Sequence, residues 1–339
     1  MSGRELEDNC VRTRIEAWLR NDKSVVRAAE ELGINTKTLG STIYSAEGRR
    51  VAAELTQDFG APVPDLAPRE APKYRKIGPP DGVVRVMVIG DAHDDPRIPD
   101  KSRFALMGAH AEATRPDVIL SIGDFLDFAS LSTHEREDTY KARGKPSFME
   151  DMASAVDALR VFEAQLSPDY HPRKHITFGN HEERCERAED IDPKARGMYA
   201  GQRDTLFESH GWTHQAYRHW TVIGGVGFTH APQSIMGKPL GGKNVENTIA
   251  NDTTFSVVFG HTHRYNYVRR PKQGYANSVT VVNVGCAMPH NYVPSYASAL
   301  PTGFTYGIVD MMIEGGEILS APLRTFRELT RMYGEPRDA

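Results

Sequence analysis

The sequence predicts an α/β body built on mixed sheets, with a small all-α unit in front of it, and three observations carry that expectation. From Val84 onward, short apolar runs (VRVMVI, DVILSI, HITF) alternate with helix-like stretches, whereas VGFTH, FSVVF and VTVVNV follow with less helix between them. Before Ser45 the apolar residues instead recur at helical spacing. Between the two lies APVPDLAPREAPKYRKIGPPDG, whose prolines exclude a regular element and favour an extended linker. The expected organisation is a helical unit over 1–55, a linker over 56–83 and the α/β body over 84–339.

In the first unit Val11, Ile15, Trp18 and Leu19 form one apolar stripe. Ser24 is placed to cap a second helix carrying Val25, Val26, Ala28, Ala29 and Leu32, and Gly33 supplies the turn after it. Thr36 is read as the cap of a third helix with Leu39 and Ile43 inward. In the body, helices are expected over Ser102 to Thr114 and near Phe148 to Leu166, and strands over Tyr217 to Ile223 and FTYGIVDMMI as well as the runs above.

Bulk properties narrow the function classes. At 39% hydrophobic and 25% charged residues, the 339-residue chain is that of a soluble globular protein. No run approaches the roughly 20 apolar residues of a membrane span, and MSGRELEDNCVRTR lacks the apolar segment of a secretory signal, so the expected location is the cytoplasm, with no membrane partner. Cys10, Cys185 and Cys286 are odd in number and far apart, which argues for reduced thiols. A net charge of -4 provides no global attraction to nucleic acid, so any such binding must be local.

Several apolar runs end in polar clusters, where α/β folds place their sites. VRVMVI leads into Asp91 and His93, DVILSI into Gly123, Asp124 and Asp127, and HITF into Gly179, Asn180 and His181. VGFT leads into His230, and FSVVF into Gly260, His261 and His263. The glycines are expected to let the backbone turn and to keep bulk away from the site. Carboxylates, imidazoles and an amide oxygen suit manganese, iron or zinc better than calcium.

In order, DxH, GDxxD, GNHE, a separated histidine and GHxH resemble the signature of the calcineurin-like metallophosphoesterases, covering Asp91 to His263. The resemblance implies a four-layer αββα sandwich. It also implies two divalent ions, manganese foremost with iron or zinc as alternatives, one held by Asp91, His93 and His263 and the other by Asn180, His230 and His261, bridged by Asp124. A water activated between the ions would attack phosphorus in line. His181 matches the family position that faces the scissile phosphate, and Asp127 the carboxylate that pairs with it in the protein phosphatase branch; the alternative for Asp127 is a charge at a helix N-terminus. That branch continues GDxxD with Arg-Gly, whereas Phe128 and Ala129 follow here. This departure shifts the expectation from phosphomonoesters towards diesters, unless Arg184 or Arg264 supplies the missing cation.

The run AAEELGINTKTLGSTIY resembles the helix-turn-helix of bacterial and phage DNA-binding proteins. In that resemblance the third helix exposes Lys37, Thr38, Ser41, Thr42 and Tyr44 to DNA, with Arg49 and Arg50 beyond; the alternative is a three-helix bundle for dimerisation or docking, which would make a homo-oligomer. Lys238, Lys243, Arg264 and Arg269 are further candidate substrate contacts, the first two in a loop expected to frame the cleft mouth and Arg269 in the run YNYVRRPKQGY. GDFLDF, GNHEER, NVGCAMP and GFTYGIVD are similar to segments of phage-encoded members, which places the expected cytoplasm in a bacterium or a phage-infected host. The combined expectation is a metal-dependent phosphodiesterase acting on DNA. Its rivals are a small-molecule phosphodiesterase or phosphatase whose helical unit serves assembly, a protein phosphatase, and a DNA-binding regulator with a spent site.

Overall fold

The computed structural model describes residues 3–58, 82–133, 144–234, 236–274, 278–290, 292 and 303–334. Most of the expected proline-rich linker, and much of the loop after Leu131, lie outside the described residues. The chain divides into two compact units, Met1–Lys73 and Tyr74–Ala339.

The first unit holds four helices: α1 (Gly3–Arg20), α2 (Val25–Leu32), α3 (Thr36–Ile43) and α4 (Ala46–Asp58). Ile15, Ala28, Ala29, Leu39, Ile43, Val51 and Leu55 make its own core. The last two come from α4, which the sequence reading did not anticipate and which runs beyond residue 55. Ser24 caps α2 as expected, and Gly33 ends it in the left-handed region at φ 62°. Asn35, rather than Thr36, caps α3: its side-chain oxygen accepts the Lys37 N–H at 2.8 Å, making Thr36 the first helical residue. Thr42 faces inward, because Arg14 Nη1 donates to its hydroxyl at 2.9 Å.

The second unit is a sandwich of two mixed sheets. One sheet runs β11 (Glu317–Ser320), β10 (Gly307–Glu314), β1 (Val84–Ile89), β2 (Val118–Ser121), β3 (Arg173–Thr177) and β4 (Trp212–Gln215), with β12 (Leu323–Thr325) also on β10. Here β1 to β4 are mutually parallel. The other runs β5 (Thr221–Ile223), β6 (Val226–Phe228), β7 (Val257–Phe259), β9 (Ser278–Val284) and β8 (Tyr265–Pro271), with β6, β7 and β9 parallel.

Strand alternation sorts the side chains into layers. Val84, Val86 and Val88 pack between the sheets against Phe228, Val258, Val282 and Val284. Met87 and Ile89 point the other way, onto Phe104 and Met107 of α5 (Ser102–Thr114) and Leu159 and Phe162 of α6 (Phe148–Glu163). A capping box between Ser147 and Glu150 starts α6. Across the second sheet, Val257, Phe259, Val279 and Val281 meet Val245 and Ile249 of α9 (Val245–Asp252). This helix, sheet, sheet, helix order is the expected αββα arrangement. Three more helices, α7 (Arg184–Ile191), α8 (Tyr199–Ser209) and α10 (Phe326–Tyr333), complete the described set. No helix among the described residues is long and apolar enough to cross a membrane.

Candidate metal centre

The polar clusters meet because the parallel strands of both sheets end at the same side of the sandwich. The loops after β1 and β2 stay paired beyond their strands, with His93 N–H donating to Asp124 O at 2.9 Å and Asp127 N–H to Asp94 O at 2.8 Å. In the second sheet Gly260 N–H donates to His230 O at 3.0 Å, tying the ends of β6 and β7 together.

The turns are made by the functional residues themselves more than by their glycines. His93, Asp124, His261 and His263 all sit in the left-handed region, at φ 43°, 48°, 68° and 59°. Such backbone is costly for residues with a Cβ and clusters at functional sites. Gly179 and Gly260 serve close approach instead: a Cβ would meet Asp124 Oδ1 at 2.1 Å on the first and Asp91 Oδ1 at 2.4 Å on the second.

Three groups emerge whose ligand atoms lie within 4.8 Å of one another: Asp91, His93 and His263; His93, Asp124 and His181; and Asp124, His230 and His261. His263 Nε2 stands 2.9 Å from Asp91 Oδ2 and 3.2 Å from His93 Nε2. His230 Nε2 stands 3.2 Å from Asp124 Oδ2 and 3.1 Å from Asn180 Oδ1. Every residue that the sequence reading placed in the two ion sites therefore reaches one centre, with Asp124 between the groups.

Outer contacts determine which ring nitrogen faces inward. His230 Nδ1 lies 3.0 Å from Ile122 O, which can only accept, and His93 Nδ1 lies 3.1 Å from Asp127 Oδ1. Each ring thus donates outward, and in its neutral form turns a lone pair from Nε2 towards carboxylate, amide and imidazole acceptors. Acceptors gathered face to face require a proton or a cation between them. This donor set fits a first-row divalent cation.

The electrostatics agree. Burial opposes ionisation of Asp124, but His230, His181 and His93 hold it well below the usual carboxylate range. Burial likewise opposes the protonated form of His230, yet Asp124 and Asp91 push it up to about 9. Burial, with help from His230, lowers His261.

His181 and Asp127 come together as expected, with a difference. Asp127 Oδ1 is 3.1 Å from His181 Nδ1 and equally far from His93 Nδ1. The Asp127 carbonyl accepts from His181 at 2.8 Å and from Arg184 Nη1 at 2.6 Å. Asp127 is followed by a single 3-10 turn, Ala129–Leu131, so its carboxylate serves the two rings and caps no α-helix.

A cleft of about 600 Å³ opens over the centre, lined among others by Arg97, Asp127, Lys145, His181, Arg184, Tyr292 and Phe304. The sequence reading missed Arg97 and Tyr292, which arrive from segments without a motif, and Phe304, which opens the run FTYGIVDMMI expected only as a strand. It also missed the part played by Glu182, whose buried carboxylate accepts N–H groups of Asp124 (2.8 Å), Leu126 (3.1 Å) and Gly179 (2.8 Å) and so joins two ligand loops. Of the two arginines considered as substitutes for the missing Arg-Gly, Arg184 reaches the cleft with Nη2 3.2 Å from His181 Nε2, whereas Arg264 donates to Gly242 O at 2.8 Å and does not line it.

In the α/β unit the remaining candidate contacts are not among the residues that line the cleft. Lys238 and Lys243 are exposed, in the loop whose Gly242 carbonyl accepts from Arg264. Arg269 is paired with Glu317 at 2.6 Å on the edge strand β8. In the helical unit Lys37, Thr38, Ser41, Arg49 and Arg50 are all exposed, and Arg50 pairs with Glu47 and Glu54 along α4. Lys37 and Arg49 have no ion-pair partner among the described residues.

The model of the family described as calcineurin-like phosphoesterase matches residues 84–265, more than half of the chain. Among solved structures, wild-type Vps29 of Entamoeba histolytica, complexed with Zn2+, is similar at 15% identity and a TM-score of 0.33, covering 71% of this chain and 97% of that one. A single mutant of Vps29 from the same organism is similar at 16% identity and a TM-score of 0.32, over 69% of this chain and 88% of its own. Likeness at that level bears on neither substrate nor partner. No curated protein matches.

Proposed function

The chain belongs to the calcineurin-like phosphoesterase family, and from that premise we propose that it is a dinuclear-metal phosphodiesterase whose substrate is DNA. One observation carries the hydrolase reading: seven side chains from five strand ends turn their acceptor atoms into one centre, in groups joined through His93 and Asp124. Asp91, His93 and His263 would hold one cation and Asn180, His230 and His261 the other, with Asp124 common to both. Two such cations supply Lewis acidity towards the phosphoryl oxygens and a water acidic enough to act as nucleophile near neutral pH.

The chain's own groups do the rest. Asp127 orients His181 through Nδ1, leaving Nε2 at the cleft beside Arg184 Nη2. Burial opposes the charged ring, but Asp124 and Asp127 raise His181 above its ordinary value, which favours the state in which it donates a proton to the leaving oxygen. An anionic phosphoryl oxygen entering between Nε2 and the guanidinium would accept from both. Phe128 is buried, so the position after Asp127 offers the cleft no cation. Arg184 supplies the cleft with a guanidinium from another element, so the choice of a diester over a monoester dianion rests on the DNA reading and not on the charge of the cleft.

DNA as substrate rests on the helical unit, where Lys37, Thr38, Ser41 and Tyr44 lie exposed on or beside α3. A tether to a DNA-contacting unit raises the local substrate concentration at the cleft. Metal-stripped protein reloaded with Mn2+ and offered bis-aryl phosphate, mono-aryl phosphate, and single- and double-stranded DNA tests both parts. Cleavage of DNA and of the diester in preference to the monoester is expected. Turnover of the small diester with no DNA cut would end the nuclease reading, and a preference for the monoester would end the diester reading.

A further inference from the structure

Behind the His261 to His263 turn two buried polar side chains, Glu246 and Asn283, reach the half-buried Thr262, which also lines the cleft, and the chemistry above uses none of the three. Asn283, at the site end of β9, extends the face on which Val279 and Val281 meet α9. Its amide nitrogen donates one hydrogen to Glu246 Oε1 at 2.8 Å and the other to Thr262 Oγ1 at 2.5 Å. Asn283 is wholly buried and Glu246 is 1% exposed. A carboxylate taken that far from water is costly unless it is hydrogen-bonded, and Asn283 supplies that bond.

The turn that Thr262 occupies is also costly. His261 and His263, on either side, are both left-handed, at φ 68° and 59°. Backbone bonds anchor its flanks: Gly260 N–H to His230 O, Thr262 N–H to Gly260 O at 2.8 Å, and Thr305 N–H to His263 O at 2.8 Å. Thr262, the middle residue, is tied twice, by its own N–H to Gly260 O and by its hydroxyl, which accepts from Asn283. The turn sends His261 to one ligand group and His263 to the other, so its shape bears on both.

We infer that Glu246, Asn283 and Thr262 form a positioning relay that holds the His261 to His263 turn in its ligating shape and thereby sets the affinity of the centre for divalent cations. The inference rests on reading these histidines as ligands. α9 acts here as more than a cover for the second sheet: it delivers a buried carboxylate that fixes an amide, which fixes the turn. Outer groups that orient metal ligands typically change cation affinity by about 10- to 100-fold when removed.

The test is Mn2+ uptake by metal-stripped full-length protein, followed by the electron paramagnetic resonance of free Mn2+, for the parent and for Thr262→Val, Thr262→Ser and Asn283→Leu. Valine keeps the threonine shape without the hydroxyl, and serine keeps the hydroxyl. Thr262→Val and Asn283→Leu should bind Mn2+ about 10- to 100-fold more weakly, with kcat restored at saturating Mn2+. Thr262→Ser should bind as the parent does, and the metal-free Thr262→Val protein, although it leaves an Asn283 N–H buried and unpaired, should remain folded at the temperature of the titration. If Thr262→Val binds as tightly as the parent, or Thr262→Ser as weakly as Thr262→Val, the relay is refuted while the ligand assignment stands. If the parent itself takes up no Mn2+, the ligand assignment fails and the relay falls with it.

Discussion

His93 and His181 stand edge to face, 4.5 Å between ring centroids, and both direct Nδ1 at the same oxygen of Asp127, 3.1 Å from each. One carboxylate thus orients a ring read as a metal ligand and a ring read as an acid. Replacing His181 by alanine should leave Mn2+ stoichiometry intact and cut kcat by about 10²- to 10⁴-fold, the usual range for a positioned acid. Asp127→Asn should weaken Mn2+ binding as well as turnover. If it lowers turnover alone, its contact with His93 does nothing.

Glu182 should behave as a structural clamp. Burial first and Asp124 second raise its pKa, while three backbone N–H groups hold it in place. Alanine at this position leaves those donors buried and unpaired, at about 1 to 3 kcal/mol each before relaxation. Chemical unfolding of Glu182→Ala should show a loss of about 3 kcal/mol or more. A loss below about 1 kcal/mol would mean that the loops after β2 and β3 are held by something else.

Stability should fall with rising pH in the absence of metal and not in its presence. Asp124 and Asp91 hold His230 up at about 9 against its burial. A histidine raised above its unfolded value near 6.5 favours the folded state fully below that pH and loses the contribution as pH rises through the folded value. Metal-stripped protein should therefore lose stability between about pH 6.5 and pH 9, by at most about 3 kcal/mol. Mn2+-loaded protein, with a cation in place of the proton, should not. Melting curves in chelator and in Mn2+ decide this; identical pH profiles would contradict it.

On the helical unit, Lys37→Ala combined with Arg49→Ala should weaken binding to duplex DNA and reduce the slope of log affinity against log salt by about 2, about one per phosphate contact. An unchanged slope would leave the unit an assembly module.

Strands and candidate ligands were legible because each motif is local: an apolar run of four to six residues followed by acceptor-bearing side chains needs no long-range information. Two kinds of feature stayed hidden. Polar elements such as β4 (WTHQ) and α4 (AEGRRVAAELTQD) lack the apolar pattern that announces them. Residues acting through tertiary approach, among them Arg97 on the cleft wall and Asn283 behind Thr262, carry no signal of spacing at all. Of the two roles expected of the motif glycines, keeping bulk away holds at Gly179 and Gly260, where a carboxylate excludes the Cβ, whereas a positive φ is found at Gly123 and not at Gly90, Gly179 or Gly260.

The most direct test of the account is a crystal of the parent soaked in Mn2+ beside one of Asp124→Asn, with anomalous difference maps recorded at the manganese edge. Two peaks roughly 3.5 to 4 Å apart, enclosed by Asp91, His93, Asp124, Asn180, His230, His261 and His263 in the parent and lost or reduced in the variant, are the expected result. A parent map with no peak among these side chains would contradict it.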